Sequence, residues 1–166
     1  MEKLFEETKQ TFADFQSLFA KFRESQVNQV PFVGSWTAGQ LVEHVNLSNA
    51  GFAEVMNGET ENTFRKPDEK VEDIKRVLLD FDLKLNAPDF IVPPEKEYDK
   101  IVQLDRLAEI ESGILKVVST LDLSATCKAF ELPQMGYLTR LEAIYFVIFH
   151  TQRHTRQLAT IFNKLA

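Results

Sequence analysis

Apolar side chains recur at every third or fourth position along much of the chain, which is the spacing of one face of an α-helix. Residues 3–24 show this pattern first, with polar residues filling the positions between the apolar ones. The apolar positions of this face are Leu4, Phe5, Phe12, Phe15, Phe19 and Phe22. We interpret these large side chains as core anchors, and an aromatic ligand site is the less favoured alternative.

A second helix is predicted to begin at Thr37. Thr37 and Gln40 form the capping-box pattern T-x-x-Q, in which each side chain bonds to the backbone N–H of the other residue. We expect this helix to end at Asn57-Gly58, because glycine is well suited to a position just after a helix. Its apolar stripe consists of Leu41, His44, Val45, Ser48, Phe52 and Val55.

Further helices follow from the same kind of signal. Asp68 is placed to cap a short helix whose apolar face extends to Phe81. Helical spacing returns over residues 99–121. A second capping box, T-x-x-E, begins at Thr139 and predicts a last helix that runs to about Asn163.

These elements predict an all-α protein, a four-helix bundle with a short accessory helix, formed as one domain over residues 1–166. Residues 86–98 and 122–138 contain proline or glycine and are predicted to be connections, and no strand is expected. About forty residues separate the second and third main helices. Because so long a connection permits a crossover, we predict an up-down-down-up topology with the accessory helix inside the crossover.

Composition and charge narrow the functional classes. The 19 basic and 25 acidic residues give a formal net charge of −6, which argues against a nucleic-acid partner. The longest uninterrupted apolar run is 143–149, too short for a membrane span, and the acidic start does not resemble a signal peptide. The single cysteine, Cys127, cannot form an internal disulfide. We therefore expect a cytoplasmic protein that acts on a small molecule.

The three histidines of the chain, His44, His150 and His154, all lie on predicted apolar stripes. In the sequence H-T-Q-R-H, two imidazoles stand one helical turn apart, where both can reach one metal ion. His44 could supply a third nitrogen, and three neutral ligands would leave a coordination position open, as in catalytic sites. Imidazole suits several divalent metals, of which zinc and nickel are favoured. The alternative is that the three rings are packed core residues that bind no metal.

Other candidates are weaker. Gln157, three residues after His154, could contact a substrate or orient a ligand, and Gln40 and Ser48, one turn on either side of His44, could line the same cavity. Glu43 is about 100° around the helix from His44, so we expect no carboxylate base beside the histidines. Thr151 occupies the position of the catalytic Glu in H-E-x-x-H proteases, which excludes that class. We expect Cys127 to be a plain structural or surface thiol in a loop.

Three segments together resemble the DinB/YfiT-like superfamily of four-helix bundles. They are S-W-T-A-G-Q-L-V-E-H-V at residues 35–45, L-T-R-L-E-A at residues 138–143 and H-T-Q-R-H-T-R-Q-L at residues 150–158. Their order and spacing fit that superfamily over essentially the whole chain.

The resemblance implies a metal ion held by His44, His150 and His154, the up-down-down-up topology and a homodimer. Members are usually described as metal-dependent hydrolases. They also include thiol transferases that use bacillithiol and isomerases that use mycothiol, in which the metal is thought to activate the thiol.

Three functions follow as hypotheses. We favour a metal-dependent thiol S-transferase that joins a low-molecular-weight thiol to small electrophiles, in stress or detoxification. The second hypothesis is a metal-dependent hydrolase of a small ester or amide. The third is a non-enzymatic stress protein that binds a metal or a ligand. Because one fold serves many reactions, the resemblance does not choose among them.

Overall fold

The computed structural model describes residues 1–166 and consists of helices with one small sheet. The helices are α1 (Glu2–Ala20), α2 (Glu24–Val27), α3 (Ala38–Asn57), α4 (Val71–Leu78), α5 (Lys100–Thr120) and α6 (Arg140–Leu165), with a 3-10 turn at Asp89–Ile91. The strands are β1 (Thr60–Glu61), β2 (Thr126–Leu132) and β3 (Gly136–Thr139). The sheet is antiparallel, in the order β1-β2-β3.

The long helices α3 and α5 lie side by side and run in the same direction. The Gln103 side chain donates to the backbone oxygen of Gly39 at 2.8 Å, and Arg106 pairs with Glu43 at 3.0 Å. The partners advance together along the two helices, from Gly39 and Gln103 to Glu43 and Arg106, which indicates that the helices are parallel. This arrangement needs the long crossover between them.

The last helix, α6, is antiparallel to α3 and parallel to α1. At its start, Arg140 donates to the backbone oxygen of Met56 at the end of α3. At its other end, the ring of Phe162 lies 5.1 Å from that of Phe22, just beyond α1. Helices α1 and α6 therefore run one way and α3 and α5 the other, which confirms the predicted up-down-down-up bundle.

Both predicted capping boxes are present. The Thr37 hydroxyl accepts from the Gln40 N–H while the Gln40 side chain accepts from the Thr37 N–H. Thr139 and Glu142 form the same pair at the start of α6. These residues fix where α3 and α6 begin, and therefore where the histidines fall on each helix.

The phenylalanines of the first helix are core residues, as expected. Phe12, Phe15 and Phe19 have no exposed surface, and Phe22 is 1% exposed. Each buried aromatic ring of this kind contributes roughly 1.5–3 kcal/mol of hydrophobic stabilisation. These rings form part of the packed hydrophobic core of the bundle.

Several boundaries differ from the sequence predictions. The first helix ends at Ala20 rather than near residue 24, and the separate turn of α2 follows it. Helix α4 begins after Lys70, with no side-chain cap from Asp68, and ends at Leu78. Phe81 therefore lies outside the helix, with 42% of its surface exposed.

The prediction of no strands was wrong, because residues 122–138 contain most of the small sheet. Along β2, half-buried Lys128, Phe130 and Leu132 alternate with exposed residues, which is the period of a strand. The turn to β3 uses Gln134 and Gly136, both with positive φ angles of 67° and 72°. None of the helices is long and apolar enough to cross a membrane.

Candidate metal centre

The three histidine side chains meet between α3 and α6. The Nε2 atom of His44 lies 3.2 Å from that of His150 and 3.2 Å from that of His154, and the last two are 3.1 Å apart. Their nitrogens thus form a nearly equilateral triangle. All three residues are buried, with 3–8% of their surface exposed.

Local structure accounts for this convergence. His150 and His154 are four residues apart on α6, so their side chains lie one above the other on one helix face. His44 faces them from the antiparallel α3. Beside the histidines, the Asn49 amide of α3 donates to the Thr151 hydroxyl of α6 at 3.1 Å, a buried bond that joins the two helices directly.

The outer ring nitrogens determine which way two of the lone pairs point. His44 Nδ1 lies 2.9 Å from the backbone oxygen of Ile91, which can only accept, so Nδ1 carries the proton. His154 Nδ1 likewise donates to the Gln157 side-chain oxygen at 2.9 Å. The Nε2 atoms of both rings are therefore unprotonated, and these two acceptor atoms lie only 3.2 Å apart.

His150 is the most enclosed of the three. Its Nδ1 atom is buried and has no hydrogen-bond partner, and its ring stacks on Phe146 with the ring centres 5.6 Å apart. The Trp36 ring, in the segment just before α3, lies 5.1 Å from the His44 ring. Aromatic rings thus contact two of the three histidines.

Burial keeps the imidazoles neutral. It lowers the pKa of His154 to about 3 and that of His150 well below its ordinary range. Burial also lowers the pKa of His44, although the bond to Ile91 opposes the shift. Neutral imidazole is the form that binds metals, so the centre needs no deprotonation to act as a ligand set at neutral pH.

This donor set fits a divalent metal ion. Nitrogens about 2.0–2.1 Å from a tetrahedral ion lie about 3.3 Å from one another, close to the edges of the triangle. With His44 and His154 protonated at Nδ1, only a proton on His150 Nε2 could be donated into the triangle, and it cannot satisfy two acceptors fully, whereas a cation can. The three donors also occupy only one face of such an ion, which leaves room for a further ligand.

The remaining predicted site residues have different positions. Gln157 is in contact with His154, as described above. Gln40 uses its side-chain oxygen in the capping box with Thr37, so that atom is engaged away from the histidines. Ser48 is buried on α3, one turn after His44.

The carboxylate and the thiol considered in the sequence analysis lie outside the triangle. Glu43 pairs with Arg106 and does not face the triangle, as the helix geometry predicted. Cys127 lies on β2 rather than in a loop, has no exposed surface, and has its pKa raised by burial. No carboxylate or thiol belongs to the cluster of His44, His150 and His154.

The sequence did not reveal the role of Ile91. Its carbonyl belongs to the 3-10 turn in the crossover, and every residue has such a group, so no residue type marks it. Arg153, on the other hand, is a recognisable cation whose role was missed. It donates to the backbone oxygens of Leu78, Asp80 and Leu83 and so fastens the crossover to α6.

Comparison with known proteins agrees with the fold. The sequence profile of the DinB superfamily matches residues 7–158. The fold is similar to that of YfiT from Bacillus subtilis, described as a probable metal-dependent hydrolase with an unusual four-helix bundle topology. That similarity has a TM-score of 0.64 and 16% identity, over 99% of this chain and 86% of that one. It is also similar to TT2238, a four-helix bundle protein, with a TM-score of 0.56 and 17% identity over 96% and 98% of the two chains. The comparison with curated proteins returned no match.

Proposed function

The chain belongs to the DinB superfamily, and on that basis we propose that it is an enzyme whose His44, His150 and His154 hold a catalytic divalent metal ion. The observation that carries the proposal is the pair of unprotonated Nε2 atoms, on His44 and His154, that face each other across 3.2 Å. A cation held there would accept both lone pairs, and that of His150 once its proton is on Nδ1.

The hydrogen bonds outside the triangle support this role. Ile91 and Gln157 accept protons from the outer nitrogens of His44 and His154, which fixes ring orientation and raises the basicity of the inner nitrogens. Zinc and nickel are the ions that we favour, because imidazole nitrogens suit both. When bound, such an ion supplies positive charge that lowers the pKa of a thiol or a water molecule.

We propose thiol S-transfer as the reaction. A low-molecular-weight thiol gives up its proton to solvent, and its sulfur forms a C–S bond to a small electrophile. The leaving group departs with the electron pair of the bond that breaks. This reaction requires no general base at the site, in agreement with Glu43 being engaged by Arg106 and no other carboxylate joining the cluster.

Hydrolysis of a small ester or amide is the second candidate. It is favoured by the similarity in fold to YfiT, which is described as a probable metal-dependent hydrolase. An amide substrate needs a proton for its leaving amine. Because no carboxylate or thiol belongs to the cluster, this reaction is less well supported by the site.

A homodimer is also part of the proposal, as the superfamily resemblance implies. Ile101 and Val102 at the start of α5 are 59% and 64% exposed, and Val33 is fully exposed in the loop before α3. These side chains offer apolar area for a contact between copies. Sedimentation equilibrium tests this part, and a monomer across the accessible concentration range would refute it.

The metal is tested first. The protein is produced without a polyhistidine tag, and bound metal is measured by elemental mass spectrometry, with His154→Ala as the comparison. We expect close to one equivalent in the wild type and loss in the variant, while circular dichroism shows that helices persist. A wild type that takes up no zinc, nickel or manganese on dialysis would overturn the proposal.

The reaction is tested next with the loaded protein. A panel of thiols with model electrophiles is compared with a panel of esters and amides. Turnover in the first panel supports S-transfer, and turnover only in the second supports hydrolysis. Bound metal without turnover in either would identify a metal-binding protein rather than an enzyme.

A further inference from the structure

A row of aromatic rings extends from the metal centre towards the surface. Phe146 stacks on His150, and the Phe52 ring lies 4.5 Å from that of Phe146. Phe130 of β2 follows at 6.3 Å from Phe52, and Phe90 at 6.0 Å from Phe130. We call Phe146, Phe52, Phe130 and Phe90 the aromatic wall.

The wall returns to the metal centre at its far end. Phe90 lies in the same 3-10 turn as Ile91, whose carbonyl oxygen holds His44. His44 and Phe52 are both on α3, eight residues and about 12 Å apart. The wall therefore starts at His150 and ends in the turn that holds His44, and the strip of α3 from His44 to Phe52 lies between those two ends.

The floor of this strip consists of small residues. Ser48 lies one turn after His44 and Gly51 two turns after it, so all three share a helix face. Gly51 is exposed, and a Cβ atom built on it would meet no atom of a neighbouring element within 4 Å. Glycine weakens a helix interior, and its lack of a side chain leaves open space above this part of α3.

We propose that this strip is the substrate subsite, and that it holds the aromatic, uncharged part of a small molecule whose reacting group lies at the histidines. None of the residues of the wall or the floor is charged, so the subsite favours an apolar group. Phe90 is 66% exposed, and a ring seated on the floor would cover part of that surface. The inference rests on the proposed function, and it adds the class of substrate.

The probes are hydroxamates, which bind to metal ions that have open coordination positions. Acetohydroxamate, benzohydroxamate and 3-phenylpropanohydroxamate share one metal-binding group and differ only in the apolar part. Affinities for the zinc-loaded protein are measured by isothermal titration calorimetry, without any turnover. We expect the phenyl compounds to bind about tenfold or more tightly than acetohydroxamate, since burying part of a phenyl ring is worth at least that factor.

Filling the floor gives the sharpest test. Gly51→Leu places a side chain in the open space and replaces glycine by a better helix former, so the protein should fold normally. We expect the preference for phenyl compounds to fall to below about threefold, with zinc content and acetohydroxamate affinity unchanged. Gly113→Leu is the matched control, because Gly113 also lies in a helix and its Cβ would meet nothing within 4 Å. It should keep the full preference.

The wall is tested separately with Phe90→Ala. We expect a several-fold loss of affinity for the phenyl compounds alone. Phe64→Ala is the control, because Phe64 is 98% exposed and lies outside the wall. Equal phenyl preference in the wild type, Gly51→Leu and Phe90→Ala would overturn the inference, as would no preference in the wild type.

Failure of the subsite can be distinguished from failure of the proposed metal centre. If acetohydroxamate binds and the phenyl compounds bind no more tightly, the metal centre is supported and the subsite is refuted. If the protein holds no metal, the proposed function fails, and the subsite is tested in the metal-free protein. There the ¹⁹F signal of 4-fluorobenzyl alcohol should broaden with the wild type and Gly113→Leu but not with Gly51→Leu. No broadening with any of the three would overturn the inference.

Discussion

The imidazole of His44 donates from Nδ1 to the backbone oxygen of Ile91, 2.9 Å away and 47 residues further along the chain. This bond joins a ligand of the proposed metal centre to the part of the crossover that lies between α4 and α5. The orientation of His44 therefore depends on how firmly the crossover is held. Asn28 secures the far end of that segment, since its amide group bonds to both the N–H and the oxygen of Tyr98.

Arg153 holds the near end of the crossover, so replacing it should loosen the segment. Arg153→Gln removes the guanidinium that makes three hydrogen bonds to the backbone oxygens of Leu78, Asp80 and Leu83, and we expect a loss of about 1–3 kcal/mol in the free energy of unfolding. Urea titration measures this loss, and limited proteolysis should show faster cleavage between residues 79 and 92.

The neighbouring Arg156 gives the comparison. Its guanidinium lies over the half-exposed Phe81 ring, 4.2 Å from the centre, a contact worth about 0.5–1 kcal/mol. Arg156→Gln should therefore destabilise the protein less and leave the cleavage pattern unchanged. Equal effects of the two substitutions would show that Arg153 does not secure the crossover.

Gln157 is expected to affect metal affinity through its hydrogen bond to His154, with little effect on the stability of the fold. Its side chain is exposed, and its oxygen accepts from His154 Nδ1. Gln157→Leu removes the acceptor, and we expect zinc affinity to fall by about 10–100-fold, with thermal stability of the metal-free protein nearly unchanged.

Restoring an acceptor should restore affinity. Gln157→Glu places a carboxylate where the amide oxygen was, so zinc affinity should equal or exceed that of the wild type. The sole tryptophan, Trp36, lies 5.1 Å from His44 and provides a fluorescence signal for the titration. If Gln157→Leu and Gln157→Glu weaken binding equally, the hydrogen bond is not what matters at this position.

The bundle and the histidine cluster could be predicted because residue types in the sequence mark them. Thr37 and Thr139 mark helix starts through their own hydroxyls, and His44 could be placed on an apolar stripe by counting from Thr37. Ile91 and Gln134 carry no such signal. The first acts through a backbone oxygen, and the second takes a positive φ angle in a short hairpin that tertiary packing selects.

Cys127 should be unreactive in the folded protein. The side chain has no exposed surface, and burial raises the pKa of its thiol, so little thiolate forms at neutral pH. We expect reaction with a chromogenic disulfide such as DTNB to be slow in buffer and fast in denaturant. Cys127→Ala should retain any S-transfer activity, because the reacting sulfur comes from a free thiol. Loss of activity with the fold intact would instead make Cys127 part of the mechanism.

Glu142 should make the stability of the protein depend on pH. Its carboxylate has no exposed surface and accepts from the Arg65 guanidinium and from the N–H groups of Lys70 and Thr139. Burial raises its pKa, but the hydrogen bonds from these three residues outweigh burial and hold the pKa below its ordinary value of 4.5. A carboxyl with a lowered folded-state pKa stabilises the protein above its unfolded-state pKa. That stabilisation is lost as the pH falls through the folded-state value.

Comparison with Glu142→Gln isolates this contribution. The amide cannot ionise, so Arg65 loses its counter-charge. We therefore expect Glu142→Gln to lower the free energy of unfolding by about 2–4 kcal/mol at neutral pH. Below the folded-state pKa, the protonated wild type resembles the variant, and the difference in urea midpoint should shrink towards zero. Glu109→Gln, at an exposed position of α5, is the control and should leave the free energy of unfolding at neutral pH unchanged within about 0.5 kcal/mol. A difference for Glu142→Gln that stays constant from about pH 7 to pH 3 would mean that packing, rather than charge, is what this buried carboxylate contributes.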